Sequence, residues 1–123
     1  MACILVVDDD EKLAEGLCEV LELSGFDCRR ASGAKEAAVL AAELKPAFAI
    51  TDIQLPDGDG FSVCAGVKAA RPDARVLIMS GRAPTAEERL LGQKAGADGY
   101  LSKPFDPGAL SARVREILSE KTK

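Results

Sequence analysis

Asp8, Asp9 and Asp10 close one short apolar run, Asp52 closes another, and Ser80, Ser102 and Lys103 close two more. Three carboxylates brought to one place cannot all stay ionised unaided. Two unit charges ~4 Å apart repel by about 4 kcal/mol at an effective dielectric of 20. Either a proton is retained or a divalent cation binds, and several oxygen ligands with waters suit Mg²⁺ (or Mn²⁺). Lys103 would add a fixed positive charge and Ser80 a hydroxyl donor. A carboxylate faced by a hard cation, an ammonium and a hydroxyl is suited to phosphoryl chemistry. Each electrophilic group takes one phosphoryl oxygen while the carboxylate attacks in line. The chain has no histidine, which excludes a Ser-His-Asp triad, a histidine zinc site and a phosphohistidine of its own.

Such a site requires elements that bring four distant loops together. Apolar runs at 3–7, 26–31, 47–51, 74–79 and 99–101 read as strands. The first, third and fourth are nearly continuous hydrophobics, as expected of strands covered on both faces. Asp27, Arg29 and Arg30 make the second an edge strand. Helical spacing intervenes. Leu13, Leu17, Val20 and Leu21 form one face, stopped by Gly25. Ser32 is expected to cap an alanine-rich helix bearing Ala34, Ala37, Ala38, Ala41 and Leu44, ended by Pro46. A third helix runs from about Phe61 to Ala70. Thr85 with Glu88 forms a capping box for a fourth, ending near Gly96. Asp106-Pro107 opens a fifth with Leu110, Val114, Ile117 and Leu118 inward. The order (βα)₅ implies a doubly wound parallel sheet with helices on both faces. Ligands then bind outside the carboxyl ends of the strands, where strand order reverses. Asp8, Asp9 and Asp52 should converge there, with Ser80 and Lys103 approaching from the other side.

Composition agrees. The chain has 123 residues, 47% of them hydrophobic and 29% charged, the balance of one ordinary globular domain. Residues 1–120 are expected to form that domain and 121–123 a polar tail. No run reaches the ~20 apolar residues of a membrane span. The opening residues lack a basic n-region and read as a first strand, not a signal peptide. The net charge of −4 argues against direct nucleic-acid binding, which depends on phosphate neutralisation. Cys3, Cys18, Cys28 and Cys64 lack CxxC spacing and read as buried free thiols in a reducing, cytoplasmic compartment. Taken singly, Asp10 is a helix cap, Ser80 a loop serine and Lys103 a solvated lysine. Their joint placement at four strand ends is what makes them a site.

Val6-Val7-Asp8-Asp9, the stretch Asp52-Ile53-Gln54-Leu55-Pro56-Asp57-Gly58-Asp59-Gly60, Ser80-Gly81, and Gly99-Tyr100-Leu101-Ser102-Lys103-Pro104-Phe105 resemble the response-regulator receiver domain of two-component systems. The resemblance spans essentially the whole chain. It implies a flavodoxin-like, CheY-like three-layer sandwich with strand order 2-1-3-4-5. It further implies that Asp52 accepts a phosphoryl group from a sensor histidine kinase or histidine phosphotransfer protein. Asp8 and Asp9 would bind Mg²⁺, Asp9 directly and Asp8 mainly through water, with Asp52 and the backbone carbonyl of Gln54. Ser80 would be the switch hydroxyl, Lys103 the phosphoryl-pairing lysine and Tyr100 the aromatic that turns inward. The Lys103-Pro104 bond would be cis. The fourth helix, fifth strand and fifth helix would form the output face. That face would contact a downstream protein or a fused effector domain, as a monomer or a weak phosphorylation-dependent dimer. Gln54, Gly81 and Arg82 flank the pocket and are expected to tune the lifetime of the aspartyl phosphate.

Rival functions fit less well. An aspartate-nucleophile phosphohydrolase resembles Asp-x-Asp, and Gln54 replaces the second acid. An FMN carrier would present hydroxyls and amides to its phosphate, where this chain presents three aspartates. Counted from Asp57 as an EF-hand loop, Gly60 is fourth and Lys68 twelfth, where glycine at six and glutamate at twelve are required. That stretch is a turn. A receiver-like module that signals without phosphorylation is the remaining alternative.

Overall fold

The computed structural model describes residues 3–103 and 106–121. Its elements are β1 (Cys3–Val7), α1 (Glu11–Leu23), β2 (Asp27–Ala31), α2 (Ala34–Leu44), β3 (Phe48–Asp52), β4 (Gln54–Leu55), β5 (Gly58–Asp59), α3 (Gly60–Ala70), β6 (Arg75–Ser80), α4 (Ala86–Ala95), β7 (Gly99–Ser102) and α5 (Pro107–Lys121). Five strands pair in parallel in the order β2-β1-β3-β6-β7. With the short antiparallel β4-β5 hairpin set aside, that is the expected order, and β2 is an edge. The fold is the (βα)₅ doubly wound sandwich, with one addition to the sequence reading: the turn at 56–57 closes a two-residue ladder.

Side-chain alternation along the strands builds two cores. Ile4 and Val6 of β1 point with Phe48, Ile50, Leu77 and Met79 into a cluster covered by α1 and α5. Leu5 and Val7 point with Ala49 and Val76 into a second cluster, against α2, α3 and the end of α4. The central strands are therefore fully buried, which is why their sequences show no polar alternation.

Most helix boundaries follow their signals. Thr85 and Glu88 form the reciprocal capping box of α4. Gly25, at φ +96°, follows the Ser24 cap of α1. Leu110 and Val114 of α5 are buried, with Ile117 and Leu118 packed beside them. Two expectations need correction. The buried face of α1 is Ala14, Leu17, Cys18 and Leu21, so Ala14 and Cys18 replace the half-buried Val20. The alanine-rich α2 forms as expected, with Ala37 and Ala41 on its buried side and Ala38 exposed. Ser32, however, does not cap this helix: Gly33 is the cap residue and supplies no side chain. Instead both carboxylate oxygens of Asp57, on the β4-β5 turn, accept from the backbone of Ala34 (2.6 Å) and Lys35 (3.0 Å). The thiol reading also changes. Cys18 of α1 and Cys28 of β2 are joined in a disulfide with Cα atoms 5.5 Å apart, while Cys3 and Cys64 are free. Among the described residues no helix is long and apolar enough to cross a membrane.

Candidate functional site: an acidic cluster at the strand ends

Strand register decides which carboxylates meet. Val7 lies beside Thr51, so the residues that follow, Asp8 and Asp52, emerge side by side. Asp52 is opposite Met79 in β6, and Ser80 is opposite Ser102 in β7. The sequence reading placed these groups together, and the structure does so.

Asp8, Asp9 and Asp52 each offer a carboxylate oxygen, and these atoms lie within 4.8 Å of one another. Asp8 is buried at 1% exposure, Asp52 is half-buried and Asp9 exposed. One Asp8 oxygen accepts from the Asp10 amide at 2.9 Å. The Lys103 ammonium donates to Asp8 at 2.9 Å and to Asp52 at 3.1 Å. Burial lowers the Lys103 pKa, but hydrogen bonds and attraction from Asp8 and Asp52 outweigh it, so the group ends above the ordinary lysine value. One ammonium against three carboxylates still leaves the cluster negative. An all-oxygen, negative, partly open donor set fits a hard divalent cation.

The site is held by its backbone. The Lys103 amide donates to the Ser80 carbonyl at 2.7 Å. The second oxygen of the Asp52 carboxylate, Oδ1, accepts from the Ile53 amide at 2.8 Å. At the start of α3, the Gly60 amide donates to the Ile53 carbonyl at 2.7 Å. A Cβ on Gly60 would collide with the Asp52 carbonyl, so glycine is needed for α3 to approach the strand this closely. Gly60 carries no chemistry, and only its place after Asp59 in the sequence hinted at this role.

A cavity of about 250 Å³ opens beside Asp52, lined also by Gln54, Ser80, Gly81, Arg82 and Glu88. Ser80 is buried, and its Oγ accepts from the Arg82 amide at 3.3 Å. All three pocket-tuning residues expected from the sequence thus line this space. Glu88 was expected only as a helix cap. A larger, open groove of about 620 Å³ runs over β2 and the start of α1, sharing only Asp8 with the cluster. Tyr100 lies half-buried under α4, its hydroxyl donating to the Glu88 carbonyl at 3.0 Å and the Arg89 guanidinium 5.8 Å from its ring centre. The expected cis bond at Pro104 lies outside the described residues.

Residues 4–115 match the model of the response regulator receiver domain. The response regulator MprA of Mycolicibacterium vanbaalenii is 37% identical over 119 residues, which cover 97% of this chain and 51% of that protein. The chain spans about half the length of the curated relatives it matches. A CheY-like receiver domain protein from Methanospirillum hungatei superposes with a TM-score of 0.92 at 30% identity, covering 99% of this chain and 97% of that one. A response regulator from Burkholderia pseudomallei, solved with a phosphorylated aspartic acid, a calcium ion and citrate, gives a TM-score of 0.82 at 30% identity, covering 100% of this chain and 76% of that one.

Proposed function

The chain belongs to the response-regulator receiver family, and from that premise we propose that Asp52 is the carboxylate that takes the phosphoryl group. Its role is that of a phosphoacceptor signalling domain in a two-component system. The observation that carries the assignment is the position of Asp52. Among the described residues, it alone belongs both to the acidic cluster and to the lining of the cavity that also holds Ser80.

Asp8, Asp9, Asp52 and the Gln54 backbone carbonyl would hold Mg²⁺, which supplies positive charge to the phosphoryl oxygens when bound. The chain's own residues do the rest. An Asp52 oxygen attacks the phosphorus of a phosphohistidine on a histidine kinase or phosphotransfer protein; the N–P bond breaks as the O–P bond forms. The Lys103 ammonium, already against Asp52, pairs with the phosphoryl group, and the Ser80 hydroxyl donates to another of its oxygens. The new group adds roughly −1.5 to −2 charges. The face formed by α4, β7 and α5 then binds a downstream protein or a fused effector domain with altered affinity, and only that difference can shift the population. The domain would work as a monomer or a weak phosphorylation-dependent dimer. A cytoplasmic location belongs with this function. The free thiols Cys3 and Cys64 agree with it, and the Cys18–Cys28 bond opposes it.

The test is an intact-mass spectrum after incubation with acetyl phosphate and Mg²⁺. A single phosphoryl adduct is expected, absent in Asp52→Asn and in EDTA. An adduct that survives Asp52→Asn would move the acceptor elsewhere. Folded protein that takes no adduct from acetyl phosphate or from a phosphorylated histidine kinase would favour a phosphorylation-independent module.

A further inference from the structure

The cavity beside Asp52 contains an ion pair that the phosphoacceptor role does not use. The Arg82 guanidinium donates from Nη1 and Nη2 to the two Glu88 oxygens at 2.9 and 3.1 Å, and from Nη1 to the Ala83 carbonyl at 3.1 Å. Glu88 is itself fixed. Its carboxylate accepts from the Thr85 amide at 2.9 Å, its amide donates to the Thr85 hydroxyl at 3.1 Å, and its carbonyl holds Tyr100. The Arg82 amide meanwhile donates to Ser80. Both ends of Arg82 are thus tied, one to the switch hydroxyl and the other to the first turn of α4.

A bidentate carboxylate is a close geometric match for two oxygens of a phosphoryl group, and guanidinium binds both in the same fork. With the phosphoacceptor role of Asp52 as its basis, we propose that Glu88 is a latch. It holds Arg82 in the unmodified protein and must release it for the guanidinium to reach a phosphoryl group on Asp52. Binding of the phosphoryl group therefore competes with the Arg82–Glu88 pair, and α4 registers the exchange directly because the same Glu88 caps it. Arg82 then touches the phosphoryl group itself, and Glu88 acts through Arg82 as a positioning residue. The latch makes the pocket's affinity for a phosphoryl group depend on how well Glu88 holds the arginine.

The probe is beryllofluoride with Mg²⁺, titrated into the full chain and followed by Tyr100 fluorescence and calorimetry. Glu88→Gln keeps a side-chain acceptor for the Thr85 amide, so the capping box survives, but it removes the charge that holds Arg82. It should tighten binding by roughly two- to fivefold, the range spanned by exposed ion pairs. Arg82→Ala should weaken binding by roughly three- to tenfold, and Arg82→Lys should recover part of the loss. In the Arg82→Ala background, Glu88→Gln should have no further effect. Equal tightening by Glu88→Gln with and without Arg82 would overturn the latch, and so would unchanged affinity in the single variant. If the parent chain binds no beryllofluoride, as Asp52→Asn should not, the phosphoacceptor assignment fails instead.

Discussion

The Tyr100 hydroxyl reaches the Glu88 carbonyl because Gly92, one turn further along α4, has no side chain. A Cβ built on Gly92 would meet that hydroxyl. The ring is consequently seated beneath the helix, with burial raising its pKa, the Arg89 charge partly opposing this, and Glu88 adding a smaller upward contribution. Tyr100 is the only tyrosine and the chain has no tryptophan, so its fluorescence reports this seat alone.

Gly92→Ala should expel the ring while keeping α4, since alanine favours a helix interior by about 1 kcal/mol over glycine. Acrylamide quenching of Tyr100 should rise by roughly twofold or more as the ring gains exposure, and its phenol should titrate closer to the ordinary value of 10.0. Unchanged quenching would show that the seat does not depend on Gly92.

Asp57 caps α2 from a turn 22 to 23 residues away. These backbone hydrogen bonds hold its carboxyl below the ordinary 3.8. A lowered pKa in the folded state contributes stability that is present above the unfolded value and lost as pH falls through the folded value. Asp57→Ala should therefore lower Tm by a few degrees near neutral pH. The gap to the parent should hold down to about pH 5 and narrow toward about pH 2. A gap that stays constant over that window would show that the charged cap is not its source.

What the sequence could convey, and what it could not, divides along the same line. Asp8, Asp9, Asp52, Ser80 and Lys103 were legible because each ends an apolar strand, and parallel topology alone brings strand ends together. The Thr85–Glu88 capping box was legible because its partners are three residues apart. The Asp57 cap was not. Ser32 stands at the expected local position, but its amide and hydroxyl face Glu36, and nothing in spacing reveals a capping group supplied by another loop. For the same reason the Gly92–Tyr100 contact becomes visible only once α4 lies over β7, and the Arg82–Glu88 pair only once the loop before α4 folds back on its first turn. The Cys18–Cys28 bond escaped because its two cysteines sit on different elements, in apolar stretches that suit buried thiols equally well.

The cysteines separate cleanly by labelling. Burial pushes the Cys64 thiol up to about 11, with the Lys68 charge opposing, and burial also raises Cys3. The reactive species is the thiolate. At about pH 8 Cys64 should therefore alkylate roughly two orders of magnitude more slowly than an ordinary thiol of pKa about 8.5. Denatured without reductant, the chain should take two labels, at Cys3 and Cys64. After reduction it should take four, the full cysteine count. Four labels before reduction would show that Cys18 and Cys28 are not bonded in solution.

Lys103 and a bound cation compensate the same charge, so each should become more important when the other is missing. Asp8 is 1% exposed and its described compensation is the Lys103 ammonium and the Asp10 amide. Lys103→Met removes the ammonium and leaves that buried carboxylate beside Asp52, which should cost about 2–3 kcal/mol in EDTA. Asp52→Asn, in contrast, removes one repelling charge and should leave the chain in EDTA as stable as the parent or more so. Saturating Mg²⁺ stabilises a protein that binds it only when folded, by about 2.7 kcal/mol at a hundred times Kd. The Mg²⁺-dependent rise in Tm should therefore be larger in Lys103→Met than in the parent, and smaller in Asp52→Asn. Thermal unfolding of the three proteins in EDTA and in Mg²⁺ decides the matter. Equal metal responses in all three would mean that the cation does not bind among Asp8, Asp9 and Asp52. A Lys103→Met variant as stable as the parent in EDTA would mean that the Lys103–Asp8 contact does not compensate the buried charge.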